Sequence, residues 1–295
     1  MLDKPQIIIH SSKSLNYTAY DVHWIPSSPR FVILGQKANG TGTIQVCQLA
    51  SGSIADLHQT EKPHAFKCGT FGHSSLAARK LATGDFGGRL SIWDLERLEK
   101  PDISFSAHDQ IINCIDGLGG KSINCGPPEI VTGSRDGKLN FKIGAVKIWD
   151  ARQPENPVAV LAPAPGEAVI DPWTVAFGNS YNNQERMVAA GYENGDLKLF
   201  DLRQMKIVWE TNLKNGVCSV EFDRKDIQMN KLVCTGLEAK FHVYDMRTHH
   251  PTKGYTALSQ KSNVSNITGW LVRHLPQNRD LFMLSNGSGT LELYK

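Results

Sequence analysis

The sequence predicts an all-β chain made of one small sheet repeated along its length. Three observations carry that prediction. A single phrase recurs six times, the stretches before each copy alternate apolar and polar residues, and no window offers an amphipathic helix with caps. The phrase is a small residue, a polar turn, then apolar–x–apolar–aromatic, usually closed by Asp.

The copies come in order. The first, "GQKANGTGTIQVCQL" at 35–49, is degenerate and puts Cys47 where the aromatic belongs. Next are "GDFGGRLSIWDL" at 84–95, "GSRDGKLNFKIGAVKIWDAR" at 133–152 and "GYENGDLKLFDLR" at 191–203. "GLEAKFHVYDMR" at 236–247 and "SNGSGTLELYK" at 285–295 complete the set. The aromatic positions (47, 93, 149, 200, 244, 294) lie 46, 56, 51, 44 and 50 residues apart. Two further strand-like runs precede each copy, as in "WTVAFGN" (173–179) and "RMVAAGY" (186–192), or "GVCSVEFD" (216–223) and "KLVCTGL" (231–237). Alternating β-branched and aromatic residues with Gly, Asn and Asp between runs read as strands joined by tight turns. A small sheet with two apolar faces cannot bury them alone, so neighbours must stack.

Composition narrows the function. At 295 residues, 40% hydrophobic and 21% charged, the chain is an ordinary globular protein. A net charge of +3 without a Lys or Arg stripe gives nucleic acid no support as a partner. No segment approaches the roughly 20 apolar residues that span a bilayer, so no membrane is expected. The start, "MLDKPQIIIHSSKS", lacks a signal-peptide pattern, which places the chain in the cytoplasm or nucleus. The sequons at Asn16, Asn39, Asn263, Asn266 and Asn286 are then silent. Six cysteines (47, 68, 114, 125, 218, 234) without a C-x-x-C pair read as small buried hydrophobes.

A period in the forties, with three or four strands per unit ending in aromatic–Asp, resembles the WD40 repeat. The resemblance implies a β-propeller: one domain over 1–295, with repeats at about 17–49, 64–95, 108–151, 167–203, 216–247 and 267–295. Six repeats are visible, so the ring is either six-bladed or a seven-bladed one without its last repeat. "PQIII" (5–9), within 4–10, is a candidate strand to complete the last blade and latch the ring. The third copy also matches the family's hydrogen-bond tetrad in His108, Thr132, Asp136 and Trp149. Its implied role is structural rather than catalytic. Elsewhere the tetrad is incomplete, with Gly87, Asn194 and Ala239 at the Asp position.

The third copy is interrupted. Gly84 to Trp93 spans nine steps, whereas Gly133 to Trp149 spans sixteen, leaving seven extra residues within 138–145. "KLNFKIG" alternates and could prolong the hairpin beyond the rim. Three readings stay open: a ribbon that recruits a partner, a tolerated surface insertion, and a spurious translated segment.

Several stretches that blade architecture does not dictate, such as "DRKDIQMNKLV" and "FHVYDMRTHHPTKGY", resemble the Monad family of WD-repeat proteins, also described as dynein axonemal assembly factors. That resemblance implies a seven-bladed scaffold working with a TPR-type co-chaperone, the Rvb-like ATPases and prefoldin-like subunits to mature dynein arms. It also implies an apoptosis-related role. The insert after Gly137 and the missing seventh repeat depart from the family.

Chemistry is scarce. "GSRDGK" (133–138) is one residue short of a phosphate loop, and Leu139 stands where Ser or Thr must bind magnesium. "NGSGT" (286–290) is a turn, and His249-His250 lack further ligands. No enzyme, metal or cofactor is expected. Binding is. Trp173 and Trp270 share a place at the start of an inner strand, Tyr20 falls there in the first copy, and Arg135 sits in a turn on the same face. Such residues anchor interfaces, though the tryptophans could equally pack between blades. Arg152, Arg203 and Arg247, two residues past the closing Asp, resemble the motif that docks WD40 proteins onto the adaptor of cullin-4 ubiquitin ligases. The alternative for them is pairing with a neighbouring carboxylate. The expected function is a non-catalytic scaffold, with a ligase substrate receptor as the alternative.

Overall fold

A computed structural model describes residues 7–119, 127–138, 141–142, 145–161, 170–182, 184–263 and 267–295. Among these residues there are strands and no helix. Sheet 1 is β1 (Thr18–Trp24), β2 (Arg30–Gln36), β3 (Gly42–Ala50) and β4 (Ser53–Lys62). Sheet 2 is β5 (Phe66–Thr70), β6 (Leu81–Asp85), β7 (Arg89–Trp93) and β8 (Ile103–Ser106). In sheet 3, β9 (Ile112–Leu118) and β10 (Glu129–Ser134) come before a separate ribbon, β11 (Gly137–Lys138) with β12 (Phe141–Lys142). The sheet resumes with β13 (Ala145–Asp150) and β14 (Ala159–Leu161). Sheet 4 is β15 (Pro172–Gly178), β16 (Met187–Tyr192), β17 (Asp196–Asp201) and β18 (Lys206–Asn212). Sheet 5 is β19 (Val217–Phe222), β20 (Lys231–Gly236), β21 (Lys240–His250) and β22 (Gly254–Lys261). Sheet 6 has three strands, β23 (Gly269–Leu275), β24 (Asn278–Asn286) and β25 (Leu291–Tyr294).

Successive inner strands pack on one another, from β1 on β5 through to β19 on β23. The result is a six-bladed β-propeller arrangement around a channel of about 1760 Å³. Burial explains it, because the apolar clusters lie between sheets. Val32, Leu34 and Val46 of sheet 1 meet Phe66, Leu81 and Trp93 of sheet 2. Ile92 meets Ile130 and Trp149, and Val146 meets Val175 and Phe200. Leu199 meets Val220 and Tyr244, and Phe241 meets Phe282. Among the described residues no such cluster joins sheet 6 to sheet 1.

Three differences from the expectation have physical causes. Each of the first five sheets runs on past its aromatic–Asp phrase into an outer strand, so the repeats extend beyond the boundaries anticipated above. These outer strands are mostly exposed, and an exposed strand need not alternate. Secondly, Ile7, Ile8 and Ile9 are 52%, 77% and 83% exposed and outside any strand, so residues 7–10 do not complete the last sheet. Residues 4–6 of that candidate strand lie outside the described residues. Finally, β10 and β13 pair directly, with Ser134 opposite Ala145, and the extra residues form the β11–β12 ribbon instead of prolonging the blade. Positions 139, 140, 143 and 144 of the insert lie outside the described residues.

Candidate functional site

Each inner strand carries one β-bulge near its start. The register skips Tyr20 in β1, Lys67 in β5 and Asn113 in β9. It likewise skips Trp173 in β15, Cys218 in β19 and Trp270 in β23. A bulge leaves one residue unpaired and re-aims its side chain. Here all six line the channel, making a ring at one mouth. Trp270 is 53% exposed and Tyr20 37%, while Trp173 is half-buried. Phe86 stands 5.4 Å from the Tyr20 ring, and the Lys67 ammonium lies over that ring at 4.7 Å. The Asn113 amide donates to the Pro172 carbonyl, 3.3 Å away. Burial pushes the Cys218 thiol up to about 12, so no thiolate is offered at neutral pH. Arg135, largely exposed, pairs with Asp171 at 3.1 Å just before β15.

Below the ring, polar side chains tie sheet 1 to 2, sheet 3 to 4, sheet 4 to 5 and sheet 5 to 6. Asp21 accepts the Gly69 N–H at 2.8 Å, and Asp116 accepts the Phe177 N–H at 2.9 Å. Thr174 accepts from Val220 at 3.0 Å, Ser219 from Val272 at 3.2 Å and Glu221 from His274 at 2.7 Å. Burial alone would raise the pKa of Asp21, yet His23, Arg273 and the Gly69 N–H hold it below the usual carboxylate range. Glu221 behaves alike: burial raises it, and His274 and Arg273 bring it down. At the matching places of sheet 6 stand Leu271 and Arg273, neither of which can accept an N–H.

The structure brings His108, Thr132, Asp136 and Trp149 together between sheets 2 and 3. The Trp149 indole N–H donates to Thr132 Oγ1 at 2.9 Å, Thr132 meets His108 Nε2 at 2.7 Å, and His108 Nδ1 meets Asp136. Burial pushes the His108 pKa down against the pull of Asp136, so the ring is neutral. Each donor then has one acceptor if Nδ1 carries the proton and the Thr132 hydroxyl donates to Nε2. Burial would raise Asp136, but the bond from His108 and the Lys147 ammonium, 2.9 Å away, hold it well below the carboxylate range. In sheet 2 only the Trp93–Thr83 bond of this chain is present, at 2.9 Å. This network does not reach the channel, whose lining contains none of the four residues.

Arg152 and Arg203 lie in turns after the third strands of sheets 3 and 4, and Arg247 lies within β21. Arg152 and Arg247 fold back onto Asp150 and Asp245, at 2.5 Å and 2.9 Å, and the Arg203 side chain is exposed. Sequence reasoning missed Lys67, Asn113 and Cys218 in the ring, and the carboxylates Asp21, Asp116 and Glu221 between sheets. The available signal was positional, since each ring residue occupies the same place as Trp173 in its own repeat.

The chain is 60% identical to dynein axonemal assembly factor 10 of Xenopus laevis over 294 residues, which cover 100% of this chain and 80% of that protein. The human protein of that name is 57% identical and the Chlamydomonas reinhardtii one 52%, each over 293 residues, 99% of this chain and 80% of theirs. Among solved structures, a chain in the crystal structure of a mitotic checkpoint complex superposes with a TM-score of 0.70 at 13% identity, covering 96% of this chain and 79% of that one. That likeness concerns the fold alone. No family model matches the chain. By full-length identity to these relatives, the chain belongs to the dynein axonemal assembly factor 10 family.

Proposed function

We propose that this protein is a non-catalytic cytoplasmic scaffold for the preassembly of axonemal dynein arms. It would hold a TPR-type co-chaperone, Rvb-like ATPases and prefoldin-like subunits beside dynein chains. One observation carries the reading: the bulged residues of six successive strands converge on one mouth, with Trp270 and Tyr20 exposed there beside Phe86. Exposed aromatic side chains on a rigid rim suit interface anchors. Partners gathered on one rigid body meet at a raised effective concentration. The relatives' name supports dynein assembly as the setting.

Affinity purification from ciliated cells tests this. The native chain should recover dynein heavy chains and prefoldin-like subunits, and Tyr20→Ala with Trp270→Ala should lower that recovery about tenfold or more. Unchanged recovery with a correctly folded variant would refute the mouth as the binding site. Recovery of the cullin-4 adaptor, lost on Arg152→Ala and Arg203→Ala, would favour the ligase-receptor reading instead. The pairing of Arg152 with Asp150 and of Arg247 with Asp245 on the same strand end weighs against it.

A further inference from the structure

Among the described residues, the outer edges of the six sheets are β4, β8, β14, β18, β22 and β25. Most of them are unfit to pair further. β8, β14 and β25 are three or four residues long. β4 carries Asp56, Glu61 and Lys62, is bulged at Leu57, and has Lys13 laid across it onto Asp56 at 2.8 Å. β18 carries Lys206 and Glu210 and is bulged at Val208. Shortness, charges and bulges are the ways in which a sheet edge avoids recruiting another strand. β22 differs. Tyr255 to Gln260 hold no charge, and the register with β21 is unbroken from Lys240–Lys261 to Asp245–Thr256.

Two bonds fix which way the backbone of β22 faces. Ser262, just past the strand, donates its N–H to the Ala239 carbonyl at 2.9 Å, and Thr256 donates to Thr248 Oγ1 of β21 at 3.0 Å. Alternation along the strand then turns Leu258 and Gln260 toward β21 as well. Tyr255, Ala257, Ser259 and Lys261 turn their N–H and C=O groups outward, where no strand pairs with them. The edge is also held in place. The Tyr255 ring lies 5.1 Å from those of Trp209 and His249, and a Cβ on Gly254 would come within 2.4 Å of the Trp209 nitrogen. We infer that β22 is a docking edge for an extended segment of another protein, uncharged at its centre and acidic at both ends. Charge selects that occupant. Lys253 and Lys261 bracket the uncharged stretch, are exposed, and have no carboxylate partner among the described residues. A second copy of the chain fits poorly. Two β22 strands paired about Ala257 set Lys253 of one opposite Lys261 of the other, and like charges facing across a ladder repel. The inference is independent of which partners the channel mouth binds.

The test mixes the full chain with the capped peptide Glu-Thr-Val-Thr-Val-Thr-Val-Thr-Glu, whose two carboxylates match the spacing of Lys253 and Lys261. The expected result is saturable binding that slows amide exchange about tenfold or more at Tyr255, Ala257, Ser259 and Lys261. Leu258 and Gln260, already bonded to β21, should change little. The same peptide with lysine at both ends should bind about tenfold more weakly, and Lys253→Glu with Lys261→Glu should reverse that preference. Ala257→Pro deletes an outward N–H without touching the β21 ladder, and it should abolish binding. Failure of the peptide to bind overturns the inference, as does binding that slows exchange elsewhere and leaves these four amides alone. So does a concentration-dependent dimer of the chain alone that Ala257→Pro dissolves, which would make a second copy the occupant.

Discussion

Sheets 3 and 6 share the order of their three inner strands yet hold their closing aromatic residues in different ways. Trp149 of sheet 3 is 3% exposed and heads a chain of donors and acceptors through Thr132 and His108 to Asp136. Tyr294 of sheet 6 is half-buried and gives its hydroxyl to Glu292 two residues away. Sheet 3 is covered on both faces, so a polar hydrogen there cannot reach water and needs a partner inside. Sheet 6 is covered on one face only, and water can serve the other. The polar network therefore follows from enclosure, and the strand pattern alone does not call for it.

Removing the aromatic group is the strongest way to break this contrast. Trp149→Ala should cost about 3–5 kcal/mol of stability, whereas Tyr294→Ala should cost less than half of that, measured by denaturant unfolding. Equal losses would mean that both sheets depend alike on their closing residue. Acid is the second way. Burial, with Lys80 nearby, lowers the His73 pKa to about 4, and burial likewise lowers His108. The unfolded chain takes up these protons near pH 6.5 while the folded one refuses them. Stability should thus be full above about 6.5 and fall toward pH 4, by about 3 kcal/mol for His73 alone. Asp136, held below its ordinary range, keeps its contribution until stronger acid. Thermal midpoints between pH 7.5 and 4 check this, and His73→Met should flatten the curve. The smallest effect belongs to Asp136→Ala, which leaves His108, Lys147 and the Asp109 N–H without their carboxylate. It should cost about 2 kcal/mol and quicken amide exchange in sheet 3 before sheet 6.

Much of the fold was readable from the sequence because burial imposes periodicity. The β6–β7, β10–β13, β16–β17 and β20–β21 pairs sit where the recurring phrase places them, since their alternating residues must fill both sides of an enclosed sheet. The outer strands left no such trace. In "KIVWETN" and "GYTALSQK" water covers one face or more, so residue choice is loose. The inter-sheet carboxylates escaped notice for another reason. Asp21, Asp116 and Glu221 resemble solvated residues until the next sheet brings its backbone N–H to them, a contact 48 to 61 residues away in the chain. By sequence alone Trp173 and Trp270 fit rim or core alike, and their surroundings differ. Trp173 packs beside Gly216, where an added Cβ would come within 2.6 Å of its ring, whereas Trp270 stands mostly free.

The bulges bear on how such a protein can change over time. Pairing along each inner strand is kept by the residues on either side of the bulge, and the squeezed-out residue contributes nothing to it. Sites such as Trp270 and Tyr20 are therefore letters that can be rewritten one codon at a time without respelling the frame, whereas Asn113 and Trp173 also touch the neighbouring sheet. Descendants of one propeller could serve new customers while their sheets stay the same.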